Sequence, residues 1–288
     1  MSREVLIIGG GLIGSAIAWR LAQQGARVSI ADAGNLGGEA SPAGAGMLAP
    51  RAEFAKPSVW LDLGVESLRL YPPFIEELHN ETGIDTDFRM FQPEDGIVDP
   101  AALLRALRCA CEKRGVRILR EHVSSVDPQE HQAVVIAAGA WSNQIRVAGI
   151  ALPAVVPIKG HLIGFQLEPG ALGPVRRQGE TYVLQRSSGY LIAGSNEQDI
   201  GFENTVDDAI CEDIHRRAAQ LFPPLERATP VHRWIGFRPR CVAADAPLLG
   251  RVANTNVWLA YGHYRNGILL TPVTAQRVSQ EITAAAQT

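Results

Sequence analysis

Cysteine is scarce: Cys109, Cys111, Cys211 and Cys241 are the only four in 288 residues, and none forms a CxxC pair or stands beside a histidine at zinc spacing. That pattern speaks against a metal site and a disulfide framework, and it suits a reducing, cytoplasmic compartment. A basic excess is also missing, with 27 Lys and Arg against 30 Asp and Glu, a net charge of -3 and no dense cationic run. Nucleic acid is therefore not an expected partner. Long apolar runs are absent too: Val5 to Ile8 is far too short for a signal segment or a membrane span, and it runs directly into glycines. No Ser/His/Asp set or paired carboxylates for acid–base work stand out. What remains, at 46% hydrophobic and 20% charged residues, is an ordinary globular composition with enough chain for one large core or two modest ones.

The first thirty residues are the most informative. A β-branched strand, Val5 to Ile8, meets Gly9-Gly10-Gly11-Leu12-Ile13-Gly14, and a helical pattern follows through Ala16, Ile17, Leu21 and Ala22. Gly25 ends that helix, a second strand follows, and Asp32 stands at its carboxyl end. In a dinucleotide site each glycine has a task. Gly9 permits the tight turn, Gly11 lets backbone approach a pyrophosphate, and Gly14 lets helix and strand pack closely. The N–H groups of Leu12 and Ile13 at the helix start face phosphate, and Asp32 accepts from a ribose diol. This unit does not separate FAD from NAD.

Three further stretches deliver small residues at the end of an element. GGEASPAGAGMLAP at residues 37–50 is too small in side chain to build a core and suits backbone lying against a flat ligand, or else a surface loop. VVIAAGAWS at residues 134–142 is a buried strand with a small turn, and VWLAYGHYRNGILLTP at residues 257–272 is a strand, a glycine-bounded polar turn and a helix start. Together they suggest one extended ligand along a sheet edge.

With GGGLIGSAIAWRLAQQG, these motifs resemble the FAD-dependent D-amino acid oxidase superfamily, specifically its glycine oxidase branch; GHYRNGILLTP is the longest and most specific match. The resemblance implies FAD as cofactor. Gly9, Gly11, Leu12, Ile13 and Gly14 would meet the pyrophosphate and Asp32 the ribose. Ala45, Gly46 and Met47 would lie against the flavin ring, and Ala138 and Gly139 near the phosphate and ribitol. Gly262, His263, Arg265, Asn266, Gly267, Ile268 and Leu269 would run along the pyrimidine end. On the substrate side it implies Arg238, in a G-x-R-P motif, and Arg265 as candidates for the substrate carboxylate, with Tyr182 assisting; an arginine fork matches the two oxygens. Taken alone, Tyr182 in an alternating strand reads as core packing. His263 has a structural or flavin-facing place, and His161, where relatives carry Gln, has no catalytic part.

The expected fold is α/β plus α+β, a Rossmann-type FAD-binding domain with a second, mostly antiparallel-sheet substrate domain. By texture, residues 1–50, 97–150 and 242–288 form the first, and 51–96 and 151–241 the second. Relatives carry longer stretches before residue 97 and between the strands near Val116 and Val134, where this chain has about a dozen residues, Glu121 to Gln132. The implied activity is oxidative deamination of glycine or another small amino acid or amine by hydride transfer to flavin N5. The imine and hydrogen peroxide result, possible supply of thiamine thiazole synthesis follows, and molecular oxygen or another acceptor takes the electrons. The alternatives are a dehydrogenase with a non-oxygen acceptor and a decayed FAD-binding scaffold. A homo-oligomer is compatible with all three.

Overall fold

A computed structural model describes residues 4–34, 40–54 and 56–287. The first βαβ unit is β1 (Val5–Ile8), α1 (Leu12–Gln23) and β2 (Val28–Asp32). Short α2 (Ala40–Ala43), β3 (Met47–Leu48) and α3 (Pro50–Glu53) lead to the long helix α4 (Val59–Thr82). A hairpin, β4 (Arg89–Gln92) and β5 (Asp95–Ile97), precedes α5 (Pro100–Lys113) and β6 (Arg117–Arg120). Then come β7 (Ser125–Val126), β8 (Ala133–Ile136) and β9 (Arg146–Val147). Next stand β10 (Val155–Gln166), β11 (Arg176–Gln178), β12 (Thr181–Gln185), β13 (Tyr190–Gly194), α6 (Asp208–Leu221) and β14 (His232–Cys241). β15 (Leu248–Arg251), β16 (Val257–Tyr261) and α7 (Thr271–Ala285) complete the described elements.

Two sheets organise these pieces. The first has the order β15-β16-β8-β1-β2-β6, with β16, β8, β1, β2 and β6 parallel and β15 an antiparallel edge. Its central strands β1 and β8 are buried at every residue, as an all-apolar run covered on both faces requires. The second sheet is antiparallel, in the order β11-β12-β13-β10-β14. The sequence pattern around residues 155–166 reads as two strand fragments, but they form the single strand β10, continuously paired with β14 from Val155↔Cys241 to Gly164↔His232. One face of this sheet takes the apolar side of α6 through Ile163, Phe165, Val183, Leu191 and Ile214. The other face looks toward the carboxyl ends of the parallel strands.

Helix α4 departs from the textural division of the chain. Residues 51–96 read as part of the substrate portion, yet Trp60, Leu63, Leu68, Tyr71, Phe74 and Leu78 recur at helical spacing and enter the same core as α1, α5 and α7. Trp19 of α1 meets Phe74 edge to face at 5.2 Å and donates to Glu81 at 3.0 Å. Ser58 caps the start, Gly83 with φ 74° ends it, and the helix runs through Pro72 and Pro73, which ordinarily stop one. Burial of the stripe compensates for the missing N–H groups. The hairpin β4–β5, by contrast, is tied to the antiparallel sheet by the bidentate Arg177–Asp95 pair and by Arg89 donating to the Gln185 carbonyl. Between β6 and β8 the twelve-residue connection holds only the two-residue β7 and a single 3₁₀ turn at Pro128–Glu130.

Candidate active site

A cavity of about 490 Å³ lies between the two sheets, at the carboxyl ends of β1, β2 and β8. A cavity of that size at a strand-order switch point is where α/β folds hold ligands. The glycine turn at its floor is built for close approach. Gly9 has φ 112°, and a Cβ there would stand 2.4 Å from the Ala137 carbonyl oxygen; one on Gly14 would stand 1.9 Å from the Gly9 oxygen. Helix α1 starts at Gly11 with no side-chain cap on that residue; Ser41 Oγ takes the Leu12 N–H, and the rest of the first turn presents its positive dipole end to an anion. Asp32 is anchored by both oxygens, Oδ2 accepting from Gly10 N at 2.6 Å and Oδ1 from Gly34 N at 3.0 Å. Each oxygen keeps a lone pair for a diol.

The wall formed by residues 40–50 is similarly constrained; residues 37–39 lie outside the described part. Ser41 Oγ accepts from Leu12 N at 3.1 Å, so this hydroxyl sits at the helix start, a position the sequence reading passed over. Ala45, Gly46 and Met47 line the cavity. They are held from behind by Arg186, 6% exposed, which donates to the carbonyls of Ala45 and Val98. Trp234 Nε1 adds a bond to the Ala43 carbonyl at 3.0 Å. Ala138 and Gly139 also face the cavity, followed by Trp141, which stacks on Phe202 at 4.7 Å.

The turn from His263 to Leu269 forms a further wall, while Gly262 just before it does not line the cavity. Its carbonyls are fixed by α4: Ser67 Oγ donates to Leu269 O at 2.6 Å and Tyr71 OH donates to Ile268 O. His263 is buried against Thr274, with Nε2 3.0 Å from Oγ1, and desolvation pushes its pKa down to about 3. The ring is neutral at any working pH and unsuited to act as a base. Because the folded value lies below the ordinary 6.5, this histidine stabilises the fold above that pH and the contribution is lost as pH falls toward 3. Between pH 6.5 and 5 the loss should come to about 1.5 kcal/mol. Denaturant unfolding at both pH values, compared with His263→Gln, checks this; parallel slopes would remove His263 as the cause.

On the substrate side, Arg238 and Tyr182 project from neighbouring regions of the antiparallel sheet into the cavity. Arg238 donates from Nη1 to Asn196 O and from Nη2 to Ser195 Oγ, both at 3.0 Å. Two glycines make the slots. A Cβ on Gly160 would stand 2.4 Å from the Arg238 guanidinium, and one on Gly194 would stand 2.6 Å from the Tyr182 hydroxyl. Burial raises the Tyr182 pKa despite the opposing fields of Arg238 and Arg265, so the phenol stays a donor. Arg265 lines the same cavity but is flanked by carboxylates, Glu197 at 3.0 Å and Glu53 at 3.3 Å. Its charge is already met, which separates it from Arg238. Burial alone would raise the Glu197 pKa, but the Tyr264 hydroxyl and the two guanidinium groups hold it below the usual carboxylate range. Neither Glu53 nor Glu197 stood out in the sequence, since nothing local marks an acid whose partner is far along the chain. His161 is fully buried, its Nδ1 3.1 Å from Asn196 Oδ1 and its Nε2 accepting from Asp207 N.

The geometry agrees with what known proteins show. The FAD dependent oxidoreductase (DAO) family pattern matches residues 4–91 and 89–281. The chain is 31% identical to the bifunctional protein ThiO/ThiG of Synechocystis over 97% of its own length, although it spans about half, 51%, of that relative. It is 28% identical to the glycine oxidase of Pseudomonas putida, covering 99% of this chain and 96% of the relative. That alignment runs over 351 positions against a chain of 288, so the relative carries residues with no counterpart here. The crystal structure of glycine oxidase from Geobacillus kaustophilus superimposes with a TM-score of 0.91 at 27% identity, covering 98% of this chain and 95% of the other. The glycine cradle, the positive end of α1 and the anchored acid all fit FAD, and the chain belongs to the FAD dependent oxidoreductase family.

Proposed function

We propose that this protein oxidises glycine or another small amino acid or amine to the imine, with oxygen taking the electrons as hydrogen peroxide. The carrying observation is Arg238: among the described residues its guanidinium hydrogen-bonds only neutral oxygens and is in ion-pair contact with no carboxylate, so a positive charge faces the cavity beside the Tyr182 hydroxyl. A substrate carboxylate supplies the missing partner, and the fork geometry fixes its orientation. FAD, when bound, supplies the two-electron acceptor. The protein's task is then alignment and exclusion of water. His263 is neutral and buried, and no side chain is required to take the Cα proton if it leaves with its electron pair. The amine must lose a proton first, and water hydrolyses the imine to the oxo acid and ammonia.

The residues assigned to FAD are those of the glycine turn, Asp32, the Ala45–Met47 wall, the Ala138–Gly139 turn and the Gly262 to Leu269 turn. In this reading the parallel sheet with its helices holds the cofactor and the antiparallel sheet holds the substrate. The likeness to a bifunctional protein ThiO/ThiG supports the reading that the imine serves thiamine thiazole synthesis. The test is an anaerobic visible spectrum of the purified protein before and after glycine, sarcosine and a panel of D-amino acids. Bleaching of the flavin band is the expected outcome. A yellow protein that no amine bleaches would sink the reading, and peroxide yield against dye reduction separates oxygen from another acceptor.

A further inference from the structure

Charge is unevenly distributed on the substrate side of the cavity. Arg238 meets neutral oxygens, whereas Arg265 is held between Glu197 and Glu53. Arg238 has no carboxylate in ion-pair contact among the described residues, although Glu197 lies within reach of its field, and the Arg265 end carries two carboxylates against one guanidinium. Arg238, Arg265, Glu53 and Tyr182 all border the same cavity, and the Tyr182 hydroxyl feels Arg238, Arg265 and Glu53 together. A single three-residue segment after β13 sets this pattern: Ser195 and Asn196 accept from Arg238, and Glu197 pairs with Arg265. Glu197 is also bonded by the Tyr264 hydroxyl, which keeps its carboxylate on Arg265.

A zwitterion with one carboxylate matches this dipole. A second carboxylate does not, because the other guanidinium is occupied on two sides and the newcomer would meet Glu53, which lines the cavity, and the field of Glu197, which pairs with the same guanidinium without lining the cavity. Specificity of this kind arises from a repulsive element as much as an attractive one. We propose that the two carboxylates on Arg265, Glu53 at the cavity wall and Glu197 on the other side of the ion pair, together determine specificity, admitting amines that bear one carboxylate and turning away those that bear two. The proposal rests on the amine-oxidation reading above.

Wild-type holoenzyme and Glu197→Gln, each carrying FAD by its absorbance, are reduced anaerobically with glycine and with iminodiacetate, a secondary amine with two carboxylates. Glutamine keeps the size of the side chain and a partner for Tyr264 while removing the charge. The iminodiacetate-to-glycine ratio of second-order reduction constants should rise by about tenfold or more in the variant, as loss of a like-charge contact requires. A role confined to packing would leave that ratio in place. An unchanged ratio in a variant that glycine still reduces overturns the selection and leaves amine oxidation standing. A wild-type flavin that no amine reduces overturns the amine reading and this proposal together. If Glu197→Gln cannot hold FAD, the wild-type protein decides: acetate should perturb the flavin spectrum at roughly tenfold lower concentration than malonate, and equal or tighter malonate binding overturns the proposal.

Discussion

Arg238→Ala should raise the Michaelis constant for amino acids by roughly ten- to a hundredfold while FAD stays bound, the equivalent of about 1.5–3 kcal/mol of lost charged hydrogen bonding. The reason lies in what Arg238 touches. Its protein partners are the Asn196 carbonyl and the Ser195 hydroxyl, both neutral, so the charge is held in place without being neutralised. Removing it costs the fold little and the substrate a great deal. Arg238→Lys should fall between, since an ammonium keeps the charge but loses the two-pronged geometry. Anaerobic flavin reduction measured against glycine concentration reads the effect directly. Unchanged concentration dependence in Arg238→Ala would take this residue out of the site and leave the substrate carboxylate without its assigned partner.

Gly46→Ala should lose FAD and lower stability by roughly 2–5 kcal/mol, the sum of overpacking and a left-handed backbone. Gly46 has φ 87°, and a Cβ there would lie 1.9 Å from the Val98 carbonyl oxygen. That oxygen has no room to retreat. It accepts from Arg186 at 2.9 Å, Val98 N donates back to Gly46 O at 2.9 Å, and Arg186 also holds the Ala45 carbonyl. Relief of the clash must therefore push the Ala45 to Met47 wall into the cavity, where the flavin is assigned. Denaturant unfolding and the visible spectrum of the purified variant check both halves. A yellow variant with wild-type stability would show that the wall can yield and that the cofactor does not lie against it.

The two variants probe different ranges of interaction, and the same distinction explains how much of the site is legible in the chain. The cofactor side reads well because its rules are local. A strand, three glycines and a helix need only neighbouring residues to form their turn, and the contact between Gly14 and Gly9 spans five positions. Asp32 is reached one helix later, and Gly10 N is bonded to it as the βαβ geometry requires. The substrate side reads poorly. Arg238 and Tyr182 stand out through resemblance, but the slots that seat them, Gly160 and Gly194, are ordinary strand glycines until β10 is paired with β14 and β12 with β13.

Helix α4 shows the converse failure. Its apolar spacing is present in the chain, yet Pro72 and Pro73 argue locally against a helix, and only the core shared with α1, α5 and α7 overrides them. Ser67 and Tyr71 then acquire a function that no local pattern announces, as donors to the Leu269 and Ile268 carbonyls.

Sequence by itself determined the dinucleotide-binding unit, the α/β character, the family and the small-residue turns, because hydrophobic period, glycine freedom and helix polarity act over a few residues. Tertiary structure alone decided which charges face the substrate. Arg265 and Glu53 are 212 positions apart and Arg265 and Glu197 are 68 apart, so their pairing exists only after the register of the antiparallel sheet and the placement of α3 have been set. Charge compensation is a property of distance in space, and a chain read one residue at a time shows two arginines where the folded site has one that is free to bind and one that is not.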